Sequence, residues 1–226
     1  MNAIDISPDY KAIYSKVKER FVQSKYFNYG ACDETYYTLR VFETAKEIIH
    51  RLNKKVNVSL ILVSAILHDV GKSKINLSKV FLNNRKLQNG QKEWDKHNIY
   101  GLPIAKRILD EMGHSSEFIA AVCELVEKHE LEENIHSSKT LELKVLQDAD
   151  VIADLGFAGF IRPFSFGAQT GRGIIDSIKF LKQATQKVDI RLLNLDISRN
   201  IASNQLKIQK KLVESISKDI NSELLN

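Results

Sequence analysis

The stretch AILHDVGKSK, residues 65–74, sets a histidine and an aspartate side by side at the end of a strongly apolar run. Polar groups at the end of a buried helix must be satisfied by a partner, and one partner that suits both an imidazole and a carboxylate is a divalent ion. Adjacent helical residues point about 100° apart, so His68 and Asp69 do not stack on one another, but at a helix end both can converge on one ion beside the terminus. This pair of donors suits Mn, Fe, Zn, Ni or Co better than Ca. A lone His-Asp dipeptide is common, and a buried histidine bonded to a neighbouring carboxylate would explain it equally well. Two features add weight. Gly71 and Lys72 follow at once, giving a tight turn and a cation beside the pair. A second acidic stretch, LQDADVIADLG at 146–156, carries Asp148 and Asp150 on another apolar segment.

The elements that must position these residues are helical. Three prolines and no long alternating run point to an all-α chain. Leu39, Phe42, Ala45, Ile49 and Leu52 recur at three- and four-residue steps, predicting a helix over about 36–53. Asn57 opens a second helix, apolar all round and central, that runs to about His68, with Gly71 expected as its left-handed stop. Residues 72–96 read as irregular. A helix over about 98–112 accepts Pro103 only near its first turn and stops at Gly113. Ser115 or Ser116 caps the next, which sets Phe118, Val122, Leu125 and His129 on one face. A helix over about 140–155 carries the acidic stretch. Residues 156–173 hold half of the ten glycines and four phenylalanines, and read as a flexible aromatic loop. Helices over about 174–188 and 197–222 close the chain, the last with a stripe of Ile197, Ile201, Ile208 and Leu212.

At 226 residues the chain is long enough for one sizeable domain, residues 1–226, with a core at about 33–160 and C-terminal helices at about 174–222. Hydrophobic residues at 43% and charged residues at 27% are ordinary for a globular protein. No apolar run reaches membrane-spanning length, so no membrane is expected. Cys32 and Cys123 lack CxxC spacing and read as free thiols in a reducing cytoplasm. A net charge of +5, scattered, fits an anionic substrate better than a nucleic-acid footprint.

Together these motifs make the chain resemble the HD-domain metal-dependent phosphohydrolases, and a bacterial single-domain subgroup in particular. The matching pieces are Arg40-Val41, His68-Asp69, His129, Gln147-Asp148-Ala149-Asp150 and the glycine-rich stretch 156–162 that ends in Arg162, with ISRNIASNQ fitting the closing helix. The resemblance runs from about residue 33 to the end. It implies a single-domain helical bundle and a divalent metal held by a first histidine, the His-Asp pair and a later aspartate. The pair maps to His68 and Asp69 and the later acid to Asp150, leaving Asp148 as a supporting or capping acid. The first histidine falls on Tyr37. A neutral phenol is a poor ligand, since its pKa lies near 10. Three accounts stand open: Tyr37 ligates as phenolate or through water, another histidine compensates, or the site is poor in metal and catalysis is weak or lost.

Among the other histidines, His129 points inward, and His97 stands where two-metal relatives carry an extra ligand. His50 lies more than three turns beyond Tyr37, and His114 and His136 read as solvated. The resemblance implies hydrolysis of a phosphomonoester, phosphodiester or nucleotide phosphoanhydride, with a nucleotide preferred. Asp69 would hold metal and accept a proton from water, Lys72 would neutralise phosphate oxygens, and His129 would hold an oxygen of the substrate. Arg40 would fix the acids through a bidentate pair, and Arg162 would do that or touch substrate. The different class of reading is an HD-fold binding or regulatory protein that hydrolyses nothing. The oligomeric expectation is a monomer or small homo-oligomer.

Overall fold

The computed structural model describes residues 8–25, 27, 34–82, 85–86, 89–130 and 139–219. Its elements are α1 (Tyr10–Val22), α2 (Glu34–Arg51), α3 (Val58–Leu67), a 3-10 turn (Val70–Lys74), α4 (Leu77–Val80) and a two-residue antiparallel pair, β1 (Phe81–Leu82) with β2 (Arg85–Lys86). Then follow α5 (Gly90–Trp94), α6 (His97–Glu111), α7 (Ser116–Glu127), α8 (Leu141–Ala153), α9 (Gly156–Gln169), α10 (Ile174–Lys187), a 3-10 turn (Ile190–Leu192) and α11 (Asp196–Asp219). The fold is all-α.

Helix α3 explains the architecture. The Asn57 side chain accepts from the Leu60 amide at 3.0 Å and starts it, and every residue from Ile61 to Leu67 is buried. It is apolar all round because it serves two cores. Val63, Ile66 and Leu67 pack with α1, α6 and α7. Ile61, Leu62 and Ala65 pack with α2 and α8 and, through Ile201 and Ala202, with α11. His68 and Asp69 therefore emerge at the seam between the two.

Several expectations change. The segment 156–173 is no loop: α9 occupies most of it, because its glycines serve close packing. A Cβ on Gly159 would lie 2.1 Å from the Asp154 carbonyl oxygen, and one on Gly167 would lie 2.4 Å from Ser177 Oγ. Tertiary contact overrides the poor helix propensity of glycine here. Gly71 does not adopt a left-handed conformation; among the described residues Gly113, Gly156 and Gly171 do. Gly71 instead lets the 3-10 turn touch α6, where a Cβ would meet the His97 carbonyl oxygen at 1.9 Å. The region 72–96 contains short elements, and α1, which the sequence reading did not assign, is capped by Asp9 and buries Ile13, Val17 and Phe21 at four-residue steps. The buried stripe of α2 is Tyr37, Val41, Ala45 and Ile48, with Leu39 turned outward. In α11 Ile208 is exposed, and the buried face includes Ser198 and Gln209. Gln209 earns that place with hydrogen bonds: its Oε1 accepts from the Gly156 amide at 3.1 Å and its Nε2 donates to Thr185 at 3.0 Å. His114 is buried rather than solvated, its ring 5.1 Å from that of Phe118. Cys123 is a free thiol; Cys32 and His136 lie outside the described residues. Among these, no single helix is long and apolar enough to cross a membrane.

Candidate metal centre

Six elements bring the site together. His68 ends α3, and Asp69 opens the 3-10 turn, whose Lys72 amide donates to the Asp69 carbonyl at 2.9 Å. The close approach at Gly71 seats that turn on α6, whose first residue is His97. His129 lies two residues beyond α7. Gln147 of α8 holds that segment: its Nε2 donates to the carbonyls of Lys128 at 2.8 Å and Glu130 at 3.0 Å. Asp150, one turn along α8, and Tyr37 of α2 close the far side.

Asp69 is the hub. Its Oδ2 lies 3.1 Å from His68 Nε2 and 2.5 Å from Lys72 Nζ. Its Oδ1 lies 3.3 Å from His97 Nε2 and 3.6 Å from His129 Nε2. His68 Nε2 is also 3.2 Å from Asp150 Oδ1. Two overlapping groups could therefore hold a metal ion, His68–Asp69–Asp150 and Asp69–His97–His129, with Asp69 common to both.

The backbone fixes the tautomers. His68 Nδ1 is 2.8 Å from the Ala65 carbonyl, His97 Nδ1 is 2.8 Å from that of Trp94, and His129 Nδ1 is 2.7 Å from that of Val126. A carbonyl oxygen only accepts, so each Nδ1 carries the proton. In the neutral ring each Nε2 then presents a lone pair to the centre, the arrangement metal-bound histidines use. His68 Nε2 is buried with no hydrogen-bond partner among the described residues. The donor set fits a divalent transition ion.

Among the described residues, Lys72 pairs with Glu34 and Asp69, and Arg162 with Glu34 and Asp154. Burial opposes charge on His68, but Asp69 and Asp150 outweigh it and raise its pKa to about 10. Burial likewise opposes charge on Asp69, yet Lys72 and His68 hold its carboxyl well below the usual range. Asp150 is lowered against its burial by His68, and His97 is raised against its burial by Asp69. Burial and then Asp150 push the Tyr37 phenol well above its ordinary value. Tyr37 is therefore a neutral donor, 2.7 Å from the Asp150 carbonyl and 2.8 Å from Asp150 Oδ1.

Other predicted residues fall into place or out of it. Asp148 lies away from the centre. It accepts from the backbone amides of Asn194 at 2.8 Å and Leu195 at 2.9 Å, at the entry to α11, and burial raises its pKa. Arg162 stands on α9, its guanidinium 3.9 Å over the Tyr37 ring, and donates to Asp154 at 2.6 Å and Glu34 at 3.4 Å. The pairing expected of Arg40 with the acids is not made: its Nε is buried without a hydrogen bond among the described residues. Glu34 and Glu130 went unnoticed in the sequence. Glu34, buried at the first turn of α2, pairs with Lys72 at 3.4 Å. Glu130 Oε1 lies 3.7 Å from His97 Nε2 with its side chain 42% exposed. A solitary acid carries no spacing signal that could have found either.

Comparison with known proteins agrees with this fold. No curated protein matches the chain. Among solved structures, Bacillus subtilis YpgQ superposes with a TM-score of 0.62 at 19% identity, covering 94% of this chain and 96% of that one. The YpgQ complex with ADP gives 0.60 at 17% identity, with 95% and 99% covered. An HD-superfamily hydrolase from Bacillus thuringiensis gives 0.57 at 20% identity, with 95% and 97% covered. At these identities the likeness is one of fold. The HD domain model matches residues 36–155, more than half of the sequence and all of the residues around Asp69 except Glu34 and Arg162, and the chain belongs to the HD domain family.

Proposed function

We propose that the protein is a divalent-metal-dependent phosphohydrolase of the HD type, acting on a nucleotide or another small phosphate ester. The observation that carries this reading is the convergence of three imidazole Nε2 atoms on one buried carboxylate, Asp69, with a lysine beside it. His68, Asp69 and Asp150 are the ligands implied by family resemblance, with Tyr37 where a fourth would stand. His97 and His129 extend the donor set around Asp69. A bound ion would supply hydroxide at neutral pH and polarise a phosphoryl oxygen.

This chain's own residues would do the rest. Asp69, ionised well below neutrality, can accept a proton from an attacking water. Lys72 keeps its charge in a nearly buried position and would compensate negative charge developing on phosphate oxygens, where its field is little screened. Arg162 lies over the Tyr37 ring, paired with Asp154 and Glu34, and would meet a further phosphate by exchanging one of those acids for it. The ADP bound by YpgQ supports a nucleotide as the substrate class.

The test is a screen of nucleoside mono-, di- and triphosphates with the Mn-loaded protein, reading phosphate and pyrophosphate release. Turnover that drops about a hundredfold or more in Asp69→Asn is expected, given what loss of a metal-site partner typically costs. A fully loaded, folded protein that releases nothing from any of them would remove the hydrolase reading. Tyr37 favours a second reading, a binding or regulatory protein, and nucleotide binding without turnover would support it.

A further inference from the structure

We propose that this chain holds its primary divalent ion between Asp69 Oδ1, His97 Nε2 and His129 Nε2, and not in the His68–Asp150 half, which Tyr37 closes. The inference rests on the metal-dependent reading above and assigns where the ion sits.

The first argument is shape. The three donor atoms form a nearly equilateral triangle with edges of 3.3, 3.5 and 3.6 Å. An ion about 2.1 Å from each ligand, held tetrahedrally, needs edges of about 3.4 Å. No side chain has to move by more than a few tenths of an ångström.

The second argument is what the triangle lacks without a cation. The Nδ1 protons of His97 and His129 are committed to backbone carbonyls. Two imidazole lone pairs therefore face each other and a carboxylate oxygen, all in buried residues. Three electron-rich atoms at such distances repel unless a proton or a metal cation lies among them, and of the two only a metal ion takes all three donors at once. The neutral-His, neutral-His, carboxylate set is a familiar one for a transition ion with an open position. Glu130, half exposed at the rim, is within a side-chain swing of that open position.

The third argument is that the other half is already engaged. Tyr37 donates its proton toward Asp150 Oδ1 and the Asp150 carbonyl. A histidine there would offer a lone pair; the phenol offers a proton and uses one of the acid's lone pairs. Asp69 Oδ2 is held by Lys72 at 2.5 Å, so an ion bound to that oxygen would sit against an ammonium group. Among the described residues, Asp69 Oδ1 has no such neighbour. The lysine and the tyrosine act together to turn Asp69 toward His97 and His129.

The experiment uses Mn and the full chain. Pulsed EPR on the wild-type Mn complex counts directly coordinated imidazole nitrogens: two are expected in the proposed site, one in the His68 half. Equilibrium dialysis then compares variants whose folding is checked by circular dichroism. His97→Gln should weaken Mn binding at least tenfold, Asp150→Asn should change it no more than about threefold, and Tyr37→His combined with Lys72→Met should raise the stoichiometry from one ion to two. One coordinated imidazole, or loss of the ion in Asp150→Asn, overturns the proposal while the hydrolase reading stands. A wild type that takes up no Mn overturns both.

Discussion

His68 must carry a proton or face a cation, because two carboxylates and a buried setting leave it no neutral alternative that is satisfied. Asp69 and Asp150 raise it to about 10 despite burial, against an ordinary value near 6.5. A group whose folded pKa is raised contributes stability that is complete below about 6.5 and is lost as pH rises through about 10. The chelated protein should therefore lose Tm steadily from pH 7 to 10. His68→Gln, which keeps a polar group but cannot titrate, should flatten that slope. A wild-type Tm that is level or rising over this window in chelator would contradict the assignment of the proton to His68. Asp69 has the opposite sign: its contribution is present above the normal carboxylate range and disappears as strong acid protonates it.

Each helix near the centre fixes its side chains through backbone contacts that the sequence only partly reveals. In α8, Gln147 ties down the segment bearing His129, Asp148 receives the chain entering α11, and Asp150 reaches the centre. Three polar residues within four positions of one helix so point to three different places. The His68-Asp69 pair and the inward face of His129 were legible from the residues themselves, Asp150 and His97 entered only through the family resemblance, and the central helix was legible from its unbroken apolar run. The task given to Gln147 was not, because it depends on a chain segment distant in sequence. Glycine was misread for the same reason: at Gly71 and across α9 it marks close approach, while composition suggests flexibility. Gly71→Ala puts this to the test. Its Cβ would fall 1.9 Å from the His97 carbonyl oxygen and 2.4 Å from the Gly101 nitrogen, so the 3-10 turn and α6 must separate and carry Asp69 away from His97. A loss of about 2 kcal/mol or more in urea unfolding is expected, by overpacking against rigid backbone, together with weaker Mn binding. Gly173→Ala, whose Cβ would meet nothing within 4 Å, should cost under about 0.5 kcal/mol. Equal effects from the two would show that the approach at Gly71 does not position the site.

For the molecule as a whole, the centre lies where two hydrophobic cores meet along α3, and an ion there is a cross-link between elements. Which elements it links depends on where it sits. An ion among Asp69, His97 and His129 joins the end of α3 to α6 and to the segment after α7, all on the side of the core built from α1, α6 and α7. An ion among His68, Asp69 and Asp150 joins α3 to α8 and, through Tyr37, to α2, on the side of the other core. Binding to the folded state alone stabilises by about 2.7 kcal/mol at a hundredfold excess over Kd. For a chain of 226 residues that corresponds to a rise in Tm of roughly 5–10 °C. Hydrogen exchange, measured with and without Mn, locates the gain. Protection should increase in the first turns of α6 and at residues 127–130, with α2 and α8 changing less. A gain centred on α2 and α8 would place the cross-link on the other core, and no gain anywhere would mean that no ion joins these elements.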